Sequence, residues 1–513
     1  MATRERTQSV HSRKRGTGEV WDTAKVSPDI PNTAIAKSNK LPEGHIPSWI
    51  IEALYSESVA ARLWYVATRA MGTASPPLLF PEYTGEDRST YIYRDHDFWT
   101  SGFFPGSLYV LFERQVRYPR FSALNGNEPS ITFNPTPHEI QLRHVCQWWT
   151  ENLHSNAWKT DTHDLGFMVG PWAMRAWAID RDAKAYNSLL TAAHSLASRY
   201  DSKVRSLRSW DVCVTKRYQF TDPSKDFLVI IDNMLNLDLL FWAARETSSR
   251  GLYDIAVAHA RTTQRHHIRN DKTTFHVVNF DAKTGLPKAK FTNQGYSDES
   301  CWSRGQAWGI LGFVQTFNWT GEKEFLDTAR SLADYFITKL PDDGVPYWDF
   351  AAPITDSSPR DTSAAMIATC GMLLIYKALK DAKDEQSGKY LNGALKILAG
   401  TLAKFLNPPT LKFEVVKPSK ESLQSVYADG GTVQSASDKQ QPGLVVVEDL
   451  HLKTCGQKSA DTILDGATIN NYEYAPRRWA NHGLVYADYF FLVVGNLLLE
   501  MGLVGGAVGA LNF

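Results

Sequence analysis

The chain is predicted to be all-α, folded as six helical hairpins closed into an (α/α)6 barrel. Two observations predict this. Twelve helical patterns run between residues 46 and 501 with almost no convincing strands. They alternate between amphipathic segments and segments that are apolar on nearly every side. That alternation is expected when an outer ring of helices covers an inner one. Hairpins repeated in this way bury their apolar faces on one another.

The helices are expected near 47–71, 103–117, 138–154, 165–179, 183–199, 230–246, 251–269, 303–319, 322–339, 361–380, 388–406 and 483–501. The segments 183–199, 251–269, 322–339 and 388–406 are amphipathic and belong outside. The stretch 229–244, Val-Ile-Ile-Asp-Asn-Met-Leu-Asn-Leu-Asp-Leu-Leu-Phe-Trp-Ala-Ala, reads as a buried inner helix with Asp232 near its start. Residues 1–45 are basic, Ser/Thr-rich and short of large apolar groups, which predicts a disordered tail ahead of a barrel domain at 46–513. Residues 118–137 are Pro- and Asn-rich and read as a loop. Residues 407–480 hold a Gly/Ser/Gln-rich centre (Asp429 to Pro442) and one strand-like run, Leu444 to Val447. So long a stretch is expected to run over one face of the barrel.

Composition removes several function classes. The formal net charge is zero and the pI is near 7.2, which points away from nucleic acid and anionic membranes. The five cysteines are scattered without a CxxC, as expected of reduced thiols. Residues 1–20 lack an apolar run, so no secretory signal is expected and a cytoplasmic location is. The apolar stretch from Tyr489 to Leu511 contains Asn496 and Glu500 and ends in a glycine-rich run; it reads as a buried last helix. No spacing of metal ligands stands out. The 16 tryptophans suit either sugar-stacking platforms or a large helical core.

Polar and aromatic clusters precede the apolar helices: Trp99-Thr-Ser-Gly-Phe-Phe-Pro-Gly, Thr162-His-Asp-Leu-Gly-Phe, the stretch to Asp232, Asn293 through Trp308, Arg360-Asp-Thr-Ser363 and Asn481 through Tyr489. In a closed ring those helix ends share one face, so they would line one pocket. Asp164 and Asp232 each enter an inner helix. Either could be an N-cap. Together in an aromatic pocket they are equipment for glycosidic chemistry. Two carboxylates in a dry site push one pKa up, while the helix N-terminus pulls the other way. Arg304 suggests an acidic sugar through its planar fork, or a plain ion pair with Asp298 or Glu299.

These motifs, with Ser303-Arg-Gly-Gln-Ala-Trp-Gly and Tyr486-Ala-Asp-Tyr-Phe-Phe, resemble glycoside hydrolase family 88, the unsaturated glucuronyl hydrolases, from about residue 46 to the C-terminus. The resemblance implies an (α/α)6 barrel and assigns Asp232 as general acid/base and Asp164 as the second essential carboxylate. It implies that Trp99, His163, Trp210, His276, Gln294, Trp302, Arg304, Trp308 and Ser363 bind substrate. The implied substrate is an oligosaccharide whose non-reducing end is a 4,5-unsaturated uronic acid left by a lyase. Asp232 would protonate C4, water would add at C5, and the hemiketal would open; no cofactor is required. The 118–137 and 407–480 regions look enlarged against compact relatives. Rival readings are an unsaturated rhamnogalacturonyl hydrolase, a sugar epimerase with two opposed bases, and a non-catalytic carbohydrate-binding protein.

Overall fold

The computed structural model describes residues 46–72, 75–121, 136–416, 449–455 and 459–504. The tail at 1–45, most of the 118–137 loop, the run Leu444 to Val447 and the Gly/Ser/Gln-rich centre lie outside the described residues. Fourteen α-helices are present among the described residues, and their alternation is the predicted one. The outer helices are α2 (Glu57–Ala70), preceded by the short α1 (Ser48–Leu54), then α4 (Glu139–Thr150), α7 (Ala183–Ala197), α9 (Arg250–His267), α11 (Lys323–Lys339) and α13 (Ser387–Phe405). The inner ones are α3 (Phe103–Arg117), α6 (Gly170–Asp180) with its one-turn leader α5 (Leu165–Met168), α8 (Leu237–Thr247), α10 (Ser303–Thr320), α12 (Thr362–Asp381) and α14 (Val485–Glu500). α3 packs on α6, α5 (the leader of α6) on α8, α10 on both α8 and α12, and α14 on both α12 and α3, closing the ring.

Sequence chemistry explains these elements. Along α9 the buried positions Leu252, Ala256, Ala260 and Thr263 recur every three or four residues, one stripe toward the inner helices. α12 is buried on almost every side. It is also the only described helix long and apolar enough to cross a membrane, and it is packed inside the barrel. Asp361 caps it, accepting from Ser363 N at 3.0 Å and Ala364 N at 3.3 Å. Gly321 ends α10 with φ +70°, a conformation that costs glycine little.

Ring closure uses polar bonds as well as packing. Arg114 of α3 is buried and donates to Asn496 Oδ1 at 2.9 Å and Leu492 O at 3.1 Å, both on α14. Burial lowers its pKa to about 10. Gly495 makes the crossing possible, since a methyl there would lie 2.6 Å from the Arg114 guanidinium.

Strands are more frequent than predicted. Leu79–Thr84 (β1) pairs with Tyr91–Asp95 (β2), antiparallel, with Phe80 opposite Arg94. Asp226–Ile230 (β3), Val277–Asp281 (β4) and Pro287–Phe291 (β5) form a three-stranded sheet. Leu411–Val416 pairs with Asp449–Thr454 within the 407–480 region. The expected helix at 229–244 is therefore corrected: Val229–Ile230 end a strand, Ile231–Asn236 form a 3-10 turn, and the α-helix starts at Leu237. A short apolar run carries no period that separates strand from helix, and the β-branched Val229, Ile230 and Ile231 tip it toward strand. The predicted 165–179 helix breaks at Val169–Pro171 because proline cannot donate inside a helix.

Asp488 on α14 ties the returning chain to the barrel. Its carboxyl accepts from Ile463 N at 2.8 Å, Leu464 N at 2.9 Å and Tyr91 Oη at 3.1 Å. Burial pushes its pKa up to about 7 against the pull of these donors and Arg62. Removing the acceptor strands two buried backbone N–H groups, each worth about 1–3 kcal/mol. Asp488→Ala should therefore lower unfolding free energy by about 2–4 kcal/mol in urea titrations at pH 7.

Candidate active site

The site begins with a close approach of two chain segments. Gly166 in α5 lies against the 3-10 turn; a methyl there would sit 2.6 Å from both Cα and Oδ1 of Asn236. Glycine is the residue that permits this contact. It brings Asp164, just before α5, beside Asp232, in the first turn after β3. Neither carboxylate caps its helix through a side-chain bond. The capping reading is thus set aside for both.

His163 stands between them. Its Nε2 is 3.3 Å from Asp164 Oδ1 and 3.3 Å from Asp232 Oδ1. Its Nδ1 is 3.0 Å from the Ser209 carbonyl, which can only accept, so Nδ1 carries a proton. Arg199 Nη2 donates to the same carbonyl at 3.2 Å and to Asp211 at 3.1 Å. Thr162 Oγ1 donates to Asp164 Oδ2 at 2.9 Å. The ring of His163 is 1% exposed; the two carboxylates are 14% and 16% exposed. Burial raises the Asp164 pKa, and the Asp232 charge adds to it, while His163 and Thr162 pull it back. Burial works against a charged His163, yet the two carboxylates outweigh it and raise the imidazole pKa.

A pocket of about 240 Å³ opens above this trio, room for a sugar ring. Trp99, His163, Asp164, Trp210, Asp232, Gln294, Trp302, Arg304 and Trp308 all line it. They come from the entries of α3, α5, α8 and α10 and from the β-rich loops between them. Trp99 packs on Phe103, Phe167 and Tyr486 and is only half-buried. Trp308 is almost fully buried against Phe167 and Phe490 and forms floor more than wall. Gln294 Nε2 donates to Ile469 O at 2.9 Å.

Two expected lining residues stand behind the wall. His276 is covered by the Trp302 ring, 4.6 Å away, and its Nδ1 accepts from Asn293 N at 3.2 Å. Burial and Arg304 lower its pKa to about 3, so the ring is neutral. Ser363 lies in the first turn of α12, fully buried, bonded to Asp361 Oδ1.

Arg304 pairs with Asp361 at 2.8 Å, both side chains buried, and also donates to Ile469 O at 2.6 Å. The expected alternative partners are engaged elsewhere: Asp298 with Arg217 at 2.7 Å and Glu299 with Arg269 at 4.0 Å. The Arg304 guanidinium lies over the Trp302 indole, 4.5 Å from its centre.

Further pocket residues escaped the sequence reading: Glu82, Arg94, Phe98, Ile230, Ile469 and Trp479. Glu82 and Arg94 are an ion pair across the β1–β2 hairpin. The alternating run Tyr91-Ile-Tyr-Arg-Asp was their one visible signal. Ile469 and Trp479 come from the 407–480 region, whose described end walls the pocket.

A ring of helical hairpins with paired carboxylates under an aromatic pocket is the layout of a glycoside hydrolase. No family model matches the chain. It is 32% identical over 320 residues to the unsaturated glucuronyl hydrolase of Bacillus sp. (strain GL1), covering 61% of this chain and 76% of that one. It is 37% identical over 281 residues to the unsaturated glucuronyl hydrolase of Formosa agariphila, covering 54% of this chain and 63% of that one. With the unsaturated chondroitin disaccharide hydrolase of Streptococcus pyogenes serotype M1 it shares 32% identity over 302 residues, 59% of this chain and 69% of the other. Among solved structures, an unsaturated glucuronyl hydrolase specific for heparin superposes with a TM-score of 0.63 at 26% identity, over 88% of this chain and 98% of that one. The chain belongs to the unsaturated glucuronyl hydrolase family.

Gly166→Ala should cost about 1–3 kcal/mol of stability by overpacking. It should also cut kcat by up to about 10²-fold if Asp164 and Asp232 carry the reaction, because the shift would spoil their alignment. Denaturation and steady-state kinetics on one preparation read both.

Proposed function

We propose that this pocket removes a 4,5-unsaturated uronic acid from the non-reducing end of lyase-generated oligosaccharides by hydrating its double bond. The single observation that carries the reading is the pair Asp164 and Asp232 held together by His163 under an aromatic pocket. Membership of the family supports it, as do relatives named for glucuronyl and chondroitin disaccharide substrates.

The substrate is an enol ether, and its hydration needs a proton donor, a held water and electrostatic support. In this reading Asp232 gives a proton to C4. Positive charge then develops on C5 and the ring oxygen, where the anionic Asp164 stabilises it. Water adds at C5 and Asp232 takes back a proton, which restores its starting state. The hemiketal opens, releasing the shortened sugar and a 4-deoxy-5-keto uronate. Trp99 and Trp210 offer flat faces to the sugar rings. Arg304 and Arg94 line the pocket where the uronate would lie, each already paired with a carboxylate of its own. An epimerase would need bases on opposite sides of one carbon; Asp164 and Asp232 instead share one imidazole.

The test follows the ultraviolet band of unsaturated uronyl disaccharides, which disappears as the conjugated double bond is hydrated. Wild-type protein should bleach glucuronyl-type disaccharides of the chondroitin or heparin series. Asp232→Asn should lose at least about 10²–10⁴-fold in kcat while its fold and thermal midpoint stay within a few degrees. Persistence of the band with folded wild-type protein across glucuronyl and galacturonyl substrates would sink the proposal.

A further inference from the structure

The two carboxylates and the imidazole between them cannot be assigned protons independently. The Ser209 carbonyl holds a proton on His163 Nδ1. The Nε2 lone pair would therefore face Asp164 Oδ1 and Asp232 Oδ1, each at 3.3 Å. With no proton among these three atoms, a lone pair and two carboxylate oxygens would meet in a site closed on one side by the barrel, and all three would repel. One proton must lie among them. It is either on Nε2, as an imidazolium shared by both carboxylates, or on a carboxyl that donates to Nε2.

We propose that His163 is the proton store of this site, exchanging its Nε2 proton with Asp232, so that the acid is recharged inside a constant total charge. The proposal rests on the hydration reading above and deepens it by giving His163 a task beyond lining the pocket. The cycle balances. The Nε2 proton moves to Asp232 Oδ1, leaving a neutral imidazole still anchored on Ser209. Asp232 gives that proton to C4 of the substrate and becomes a carboxylate. Water adds its oxygen to C5 and releases one proton to Asp232, which passes it to Nε2. One water is consumed, and the trio regains the proton it started with.

Surrounding groups support the store. The charges facing His163 are Asp164, Asp232 and Arg199, with the buried, neutral His259 behind. Arg199 is engaged by Asp211 and the Ser209 carbonyl, so it fixes the Nδ1 anchor without reaching Nε2. The two carboxylates win over burial and Arg199, and the ring keeps its proton above the ordinary imidazole range. The 3.3 Å separations are long for charged bonds; such contacts commonly tighten when substrate enters.

His163 acts through Asp232, so it is a positioning residue, and its test must read protons. His163→Gln keeps an N–H donor toward the carboxylates but cannot hold an exchangeable proton. In that variant kcat on an unsaturated disaccharide should fall about 10²-fold or more at pH 7, with KM changed less than about threefold. The wild-type rate should fall on the basic side with a midpoint above that of free imidazole. The variant should lose that midpoint and quicken steadily as pH drops, because Asp232 must then draw its proton from solvent. A second measurement needs no turnover. In protein labelled at histidine, the imidazole resonance absent from His163→Gln should titrate above pH 6.5. Its midpoint should move down in Asp232→Asn. A His163→Gln enzyme with an unchanged profile, or an imidazole titrating at or below the ordinary value and indifferent to Asp232→Asn, overturns the proposal. Wild-type protein that shows the shifted titration yet hydrates no unsaturated disaccharide overturns the substrate reading instead.

Discussion

Two negative side chains are kept within reach of one imidazole, and most of the pocket follows from that constraint. Like charges at this distance in a partly dry site would drive protons onto one of them or push the segments apart. The structure answers with an imidazole, a group able to carry a positive charge. His163 sits between Asp164 and Asp232, and its other nitrogen is fixed by a backbone carbonyl that Arg199 also holds. The geometry depends on backbone contact between α5 and the 3-10 turn at Gly166. The side chains meet because two main chains can touch.

The opposite wall obeys a related rule. Arg304 and Asp361 are buried together, and a buried charge is tolerable only when its remaining hydrogen-bonding groups are satisfied. Asp361 meets this by capping α12 and bonding Ser363, and Arg304 by donating to carbonyls of the returning chain at Thr468 and Ile469. The same returning chain is held at Ile463 and Leu464 by Asp488. An inner helix, its cap and a loop from far along the sequence thus share one polar network. Arg304 serves the architecture through Asp361 whatever it also does for a bound anion. Breaking such a pair by removing one partner costs about 3–5 kcal/mol, so its substitution would report on stability and binding at once.

Much of this was legible in sequence, for reasons that can be named. Helices apolar all round, such as 362–381, have no surface to show and must lie inside. Striped ones, such as 250–267, must cover them. Clusters with Trp, His, Asp and Arg ahead of the inner helices stood out because caps alone do not call for those residues. The misreadings are equally physical. Val229 and Ile230, the end of a strand, read as the start of a helix because a run of apolar residues has no period of its own. Glu82 and Arg94 went unseen because they lie on a hairpin between helical patterns. His276 and Ser363 were placed at the pocket surface, whereas the Trp302 ring covers one and the Arg304–Asp361 pair absorbs the other.

The sequence by itself determined the ring of helical hairpins, the face on which its loops gather, and the identity of two carboxylates entering neighbouring inner helices. Those properties are local: periodicity, caps and the order of apolar segments. Only the tertiary structure decided that His163 lies equidistant from both carboxylates, that Arg304 answers to Asp361, and that Trp479 closes the pocket from the far end of the chain. Apart from His163 beside its neighbour Asp164, these are contacts between side chains distant in sequence. They depend on how closely two backbones approach and which way each residue faces once the ring has closed.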